Sequence, residues 1–157
     1  DQLSSIKGEV AFDIYGPIED KQYWAQCEQK IKQLPDNVCV VYKGVLSHSD
    51  VSMGLSQYDA FILPTLGENY GHVIIEALAS ACPVLLSDAT PWQALADDQA
   101  GWTLSLESSD DWQQQLQRLV YMGEQEHAKL KTGALNFAQK VLAKPDVILA
   151  VKKLFGV

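Results

Sequence analysis

Short apolar runs rich in β-branched and aromatic residues alternate along the chain with longer stretches whose apolar positions recur at helical spacing. That alternation is what β-α-β units require, and it predicts a parallel sheet covered by helices. Val10 to Gly16 (VAFDIYG) reads as a strand closed by Gly-Pro, and Glu19 to Leu34 then carries Tyr23, Trp24, Cys27, Ile31 and Leu34 at helical spacing before Pro35, Asp36 and Asn37 stop it. Val38 to Gly44 (VCVVYKG) is a second strand, and Ser47 to Tyr58 a helix with Ser47 and Ser49 as candidate caps. Ala60 to Pro64 (AFILP) is a third strand, too apolar to have an exposed face and therefore expected between helix layers.

After the loop TLGE the spacing predicts a helix over about Asn69 to Ala81, then the strand Pro83 to Ser87, whose Pro stands first, where a missing N–H is tolerated. Asp88 to Pro91 is rich in turn residues, Trp92 to Ala96 reads as a short helix and Gly101 to Leu106 as a last strand. Asp110 to Met122 and Glu124 to Leu142 are amphipathic, and Pro145 to Phe155 follows as a short helix with Pro at its first position. The expected fold is α/β, with about five or six parallel strands. Such sheets place ligands beyond the carboxyl ends of the strands, which singles out the loops at Gly16, Gly44, Pro64 and Ser87.

A chain of 157 residues, 47% of them apolar, buries one core, so residues 1–157 are expected to form a single domain. A net charge of -8 argues against nucleic acid or an anionic membrane surface as the main partner, since both require clustered Lys and Arg. No apolar run approaches the roughly twenty residues that span a bilayer, and no charged-then-apolar leader opens the chain. Cys27, Cys39 and Cys82 form neither a disulfide ladder nor a zinc pattern, and His48, His72 and His127 lie far apart. The expectation is a cytoplasmic domain with reduced thiols, no transmembrane segment and no metal.

The informative stretch is PTLGENYGHVIIEALASACPVLLSD, Pro64 to Asp88. It joins a loop at a strand's carboxyl end to a helix start bearing Gly71, where a ligand can approach the backbone closely. The first amides of a helix have no intrahelical acceptor and sit at the positive end of its dipole, so they can hold phosphate or carbohydrate oxygens. Glu68 stands just before that helix and Glu76 two turns along it, two acceptors suited to sugar hydroxyls. A Glu at a helix start is also a common cap, and an exposed His72 there need have no chemical duty. Glu76 lies among Val73, Ile74, Ile75, Ala77 and Leu78, where a buried carboxylate requires a partner or a ligand.

Glu68 to Glu76 is an E-x7-E pattern, and the stretch around it resembles glycosyltransferase family 4, whose members read P-S/T-x-x-E-G/N-F/Y-G-x-x-x-x-E-A-x-A-x-G-x-P-V. The likeness runs on through PVLLSDATPW and includes DIYGP and VVYKGVLSHSDV, covering about Val10 to Leu104 in order. It implies the carboxy-terminal, Rossmann-like domain of a retaining GT-B glycosyltransferase, which binds a UDP- or GDP-linked sugar and transfers a hexosyl unit to a glycan, lipid or other acceptor, as in polysaccharide biosynthesis. By that resemblance Glu76 contacts the donor ribose and Glu68 the hexose near the reacting face. Asn69, Tyr70, Gly71 and His72 offer backbone amides to sugar and diphosphate, and Gly16, in the turn after the first strand, is a further substrate-binding candidate.

Two departures stand out. Ala81 supplies the small residue before Cys82-Pro83 where the family has Gly. The strand ending G-R-L-x-x-x-K-G, whose Arg and Lys clamp the diphosphate, has no counterpart upstream of Val10, because Lys7-Gly8 reads as a helix end with a Gly stop. The resemblance thus implies a piece that lacks the first strand of its domain and the amino-terminal acceptor domain, and that is inactive alone. A sugar-nucleotide epimerase or phosphorylase relative, and a non-catalytic nucleotide-binding module, are the alternatives.

Overall fold

The computed structural model describes residues 1–47, 51 and 54–143. They gather into two compact units, Asp1–Asp50 with Glu107–Met122 and Val51–Leu106 with Gly123–Val157.

In the first unit, β1 (Val10–Tyr15) lies parallel to β2 (Val38–Gly44), in register from Val10 opposite Val38, with an irregularity at Ile14/Tyr15. Between them runs α1 (Lys21–Ile31), started by Asp20, whose carboxylate accepts from the amides of Gln22 and Tyr23 at 2.8 and 2.9 Å. The amino-terminal residues form only a 3-10 turn, Gln2–Ser5, and the chain is already extended at Ile6, so the predicted helix end is a single tight turn. Gly8 does take a positive φ of +94°. Asn37 secures this segment by donating to the carbonyls of Ile6 and Gly8. The first unit also contains α3 (Ser109–Tyr121), where the Gln117 side-chain amide both donates to and accepts from the Lys7 backbone at 2.8 Å.

The second unit holds β3 (Phe61–Leu63), β4 (Val84–Ser87) and β5 (Gly101–Leu104) in the order β3-β4-β5, all parallel. Helices α2 (His72–Ala79) and α4 (Glu124–Leu142) belong to it. Every residue of β4 is buried, as a central strand covered on both faces requires, and Ile74 and Leu78 of α2 pack with Val84 and Leu86 in one apolar cluster that also takes in Leu95, Ala134 and Ala138. At Gly133 in α4 the helix closes onto the Asp98 and Gln99 carbonyls so tightly that an added Cβ would collide with both.

Three expectations are corrected. Among the described residues the strands are a parallel pair in the first unit and a parallel triplet in the second; β3 is cut to three residues, and Pro64 has no N–H with which to extend it. Phe61, Ile62 and Leu63 are half-buried, and within the triplet the fully covered strand is the central β4. Trp92 to Ala96 is not a helix: Leu95 to Ala100 closes a turn through Ala100 N–H to Leu95 C=O at 2.8 Å, with Gln99 left-handed at φ 54°. The predicted helix over Ser47 to Tyr58 falls partly outside the described residues, as does Ser49, although Val51, Gly54 and Leu55 are helical; Pro145 to Phe155 lies wholly outside them. Cys27, Cys39 and Cys82 are all free, on α1, on β2 and just past α2.

Candidate functional site

The loops after β3 and β4 are bound to each other by short-range polar contacts. The buried Ser87 hydroxyl donates to the Thr65 carbonyl at 2.6 Å, and the Glu68 amide donates to the Ala89 carbonyl at 3.2 Å. Thr65 folds its own loop, its hydroxyl accepting from the Gly67 amide and donating to the Gly67 carbonyl. These bonds hold the segment Glu68 to His72 at the carboxyl end of the β3-β4-β5 sheet, the place a parallel sheet offers to ligands.

Within that segment Gly71 is the cap of α2 and adopts a left-handed φ of 71°. A side chain there would be strained and would also meet Ile74 Cδ1 at 2.5 Å and Glu68 Cγ at 3.0 Å. The N–H of Gly71, the cap residue itself, donates to Glu68 Oε1 at 3.1 Å. That engages one carboxylate oxygen; among the described residues no protein donor meets Oε2. The Ile74 amide bonds the Gly71 carbonyl at 2.8 Å, while the amides of His72 and Val73, at the first two helical positions, have no intrahelical acceptor.

The buried residues of α2 are Ile74, Ile75, Ala77 and Leu78, which leaves His72 and Glu76, one turn apart, on the opposite side. Glu76 is half-buried and His72 exposed. Partial exposure spares the Glu76 carboxylate the full penalty of a buried charge. Asn69 is exposed, and Tyr70, 37% exposed, sets its ring 4.9 Å from that of His72. Five of the seven sequence candidates, Glu68 to His72, thus form one continuous segment, with Glu76 on the helix it starts. Gly16 belongs to the first unit, where it follows β1 at φ +135°, its N–H bonded to the Gly44 carbonyl at 2.9 Å and its carbonyl to the Tyr42 hydroxyl at 2.7 Å.

Trp92 is the site residue that the sequence reading did not single out. It is buried, its indole N–H donates to the Tyr70 carbonyl at 2.5 Å, and its ring stands edge-on to that of Tyr70. The available signal was the Pro-Trp pair four residues past the end of β4, inside the stretch that carries the family likeness.

Helix α2 ends in a Schellman turn, with Cys82 N–H on Ala77 C=O at 2.9 Å and Ala81 N–H on Leu78 C=O at 3.1 Å, and Ala81 occupies the left-handed position at φ 55°. Ala81 therefore stands where the turn calls for glycine. Burial pushes the Cys82 thiol up to about 12.

This α/β architecture of parallel strands and flanking helices is that of the carboxy-terminal domains of GT-B glycosyltransferases. The chain resembles the C-terminal domain of a glycosyl transferase group 1 family protein, LpcC, from Francisella tularensis, at 16% identity and a TM-score of 0.66, covering 88% of this chain and 90% of that one. It also resembles sucrose-phosphate synthase from Thermosynechococcus elongatus, at 18% identity and a TM-score of 0.75 over 98% of this chain and 39% of that one. Anabaena HepE in complex with UDP-glucose matches at 17% identity and a TM-score of 0.72, over 97% and 43% of the two chains. The chain thus spans about two fifths of each of the latter two proteins. The sequence profile of the family described as glycosyl transferases group 1 matches residues 1–122, and the chain belongs to that family. No curated protein matches it. Among the described residues no helix is long and apolar enough to cross a membrane.

Proposed function

We propose that this chain is the donor-binding part of a retaining hexosyltransferase that takes a UDP- or GDP-linked sugar without a metal ion. It works in the cytoplasm with an amino-terminal domain of the same protein, which holds a glycan or lipid acceptor. The observation that carries this reading is the geometry at the start of α2. A left-handed Gly71 opens two helix-start amides to a ligand, and carboxylates stand before that helix at Glu68 and, half-buried, on the side away from its buried residues at Glu76. Membership of the family and the likeness to HepE, whose structure contains UDP-glucose, support a nucleotide sugar as the ligand.

In this reading Glu76 accepts from the donor ribose in ground state and transition state alike. Glu68 keeps one oxygen on the Gly71 N–H and turns the other toward the hexose, where positive charge develops as the glycosidic bond to the diphosphate breaks. The amides of His72 and Val73, with those of Asn69 and Tyr70, meet sugar and diphosphate oxygens. Closure of the acceptor domain aligns the reactants and excludes water, so the chain alone turns over no donor.

The full-length protein, incubated with labelled UDP- and GDP-sugars and a glycan or lipid acceptor, should yield a glycoside whose anomeric configuration, read by NMR, is that of the donor. An inverted product, an epimerised donor, or binding without transfer would overturn the proposal.

A further inference from the structure

The peptide group joining Tyr70 to Gly71 is fixed from both ends. Its carbonyl accepts from Trp92 Nε1 at 2.5 Å, and its N–H donates to Glu68 Oε1 at 3.1 Å. In a trans peptide these two groups point in opposite directions in one plane, so a tilt that loosens the first bond re-aims the second. Trp92 is itself held firmly. It is 7% exposed, its backbone carbonyl accepts from Thr103 Oγ1 at 2.9 Å, and its ring packs against those of Tyr70 and Phe137, at centroid distances of 5.6 and 6.1 Å. A buried indole N–H that loses its acceptor is costly, which keeps the indole on the Tyr70 carbonyl.

We infer that Trp92 is a positioning residue for the Glu68 carboxylate: it sets the plane of the 70–71 peptide, and through the Gly71 N–H that plane sets the rotamer of Glu68. The inference rests on the proposed function in that Glu68 faces the donor sugar. Trp92 acts through the peptide and not by touching the donor. Its influence therefore falls on the step in which the carboxylate must be aligned, more than on donor affinity.

The test is Trp92→Phe in the full-length enzyme, a change that keeps an aromatic ring in the core and removes the N–H. The kcat should fall roughly ten- to a hundredfold, as expected for a misplaced reacting group, while the donor KM stays within about threefold. Added to Glu68→Gln, the same change should cause little further loss, because the two residues act as one unit. If Glu68→Gln slows turnover but Trp92→Phe does not, or if the two losses multiply, the positioning role is wrong and the functional reading stands. If Glu68→Gln leaves kcat unchanged, the functional reading falls and takes the inference with it. A measurement that does not depend on Trp92→Phe folding is the indole 1H–15N resonance of Trp92 in the 157-residue chain. Glu68→Ala should shift it by releasing the shared peptide, and an unmoved resonance would overturn the inference.

Discussion

Trp92 and Glu68 hold opposite ends of a single peptide group, the indole on the Tyr70 carbonyl and the carboxylate on the Gly71 amide. The loops that carry them are bonded to each other through Ser87 to Thr65 and Glu68 to Ala89, so the segment before α2 has little freedom to rearrange. The bond to Gly71 and a ligand contact are compatible at Glu68, because the bond engages only one of its two oxygens.

Gly71→Ala should destabilise the fold by about 2–5 kcal/mol. A left-handed non-glycine residue costs roughly 1–2 kcal/mol, and displacing Ile74, whose Cδ1 would lie 2.5 Å from the new Cβ, adds an overpacking term of the order of 1–3 kcal/mol. Urea unfolding of the variant beside the parent chain checks this; a midpoint unchanged by the substitution would show that the left-handed cap does not form.

Ala81→Gly should act in the opposite sense. Ala81 is left-handed in the Schellman turn that ends α2, and glycine relieves that strain while giving back part of the gain as unfolded-chain entropy. A net stabilisation of about 0.5–1 kcal/mol is expected. Thermal unfolding reads it as a rise in Tm, and a fall would contradict the assignment.

Cys82 should be chemically silent at neutral pH. Burial raises its thiol from 9.0 to about 12, so almost no thiolate is available, whereas the exposed Cys39 should react with iodoacetamide under native conditions. The sign for stability follows from proton binding. Between pH 9.0 and about 12 the folded chain keeps the Cys82 proton that the unfolded chain releases. The stability contributed by the neutral thiol is therefore full below the lower value and is lost as pH rises through the higher one. Cys82→Ala should flatten that alkaline decline; mass spectrometry of alkylated peptides and unfolding curves across this pH range test both statements.

Much of this architecture is readable in the sequence where a pattern is long or well bracketed. The strand Val38–Gly44 and the helix Glu124–Leu142 fall on the expected residues because turn formers bound the first and five turns of periodicity define the second. The helix predicted from Asn69 starts instead at His72, since Gly71 before it is left-handed, with its N–H held by the Glu68 carboxylate. Neither a positive φ at Gly71 nor a bond over three residues alters hydrophobic spacing, so the boundary was hidden. Trp92 to Ala96 reads as helix because it is apolar at the right intervals, yet the indole is committed to a carbonyl 22 residues earlier and the chain turns at Gln99. Glu68 and Glu76 were legible as a spaced pair, while the Trp92 contact depends on two loops meeting, which local patterns do not encode.

The measurement that bears most directly on the central claim is the paired kinetics and calorimetry of Glu68→Gln and Glu76→Gln in the full-length enzyme. In the proposed function Glu76→Gln removes a charge-assisted hydrogen bond to the donor of about 1.5–3 kcal/mol, made equally in ground and transition states. It should therefore weaken donor binding roughly ten- to a hundredfold. Glu68→Gln keeps an oxygen for the Gly71 amide and so should stay folded; it should lower kcat with little change in donor Kd, since in the proposed function its interaction develops with the positive charge of the transition state. Two folded variants with Kd, KM and kcat all within about twofold of the parent would contradict the account and return Glu68 and Glu76 to capping and surface roles.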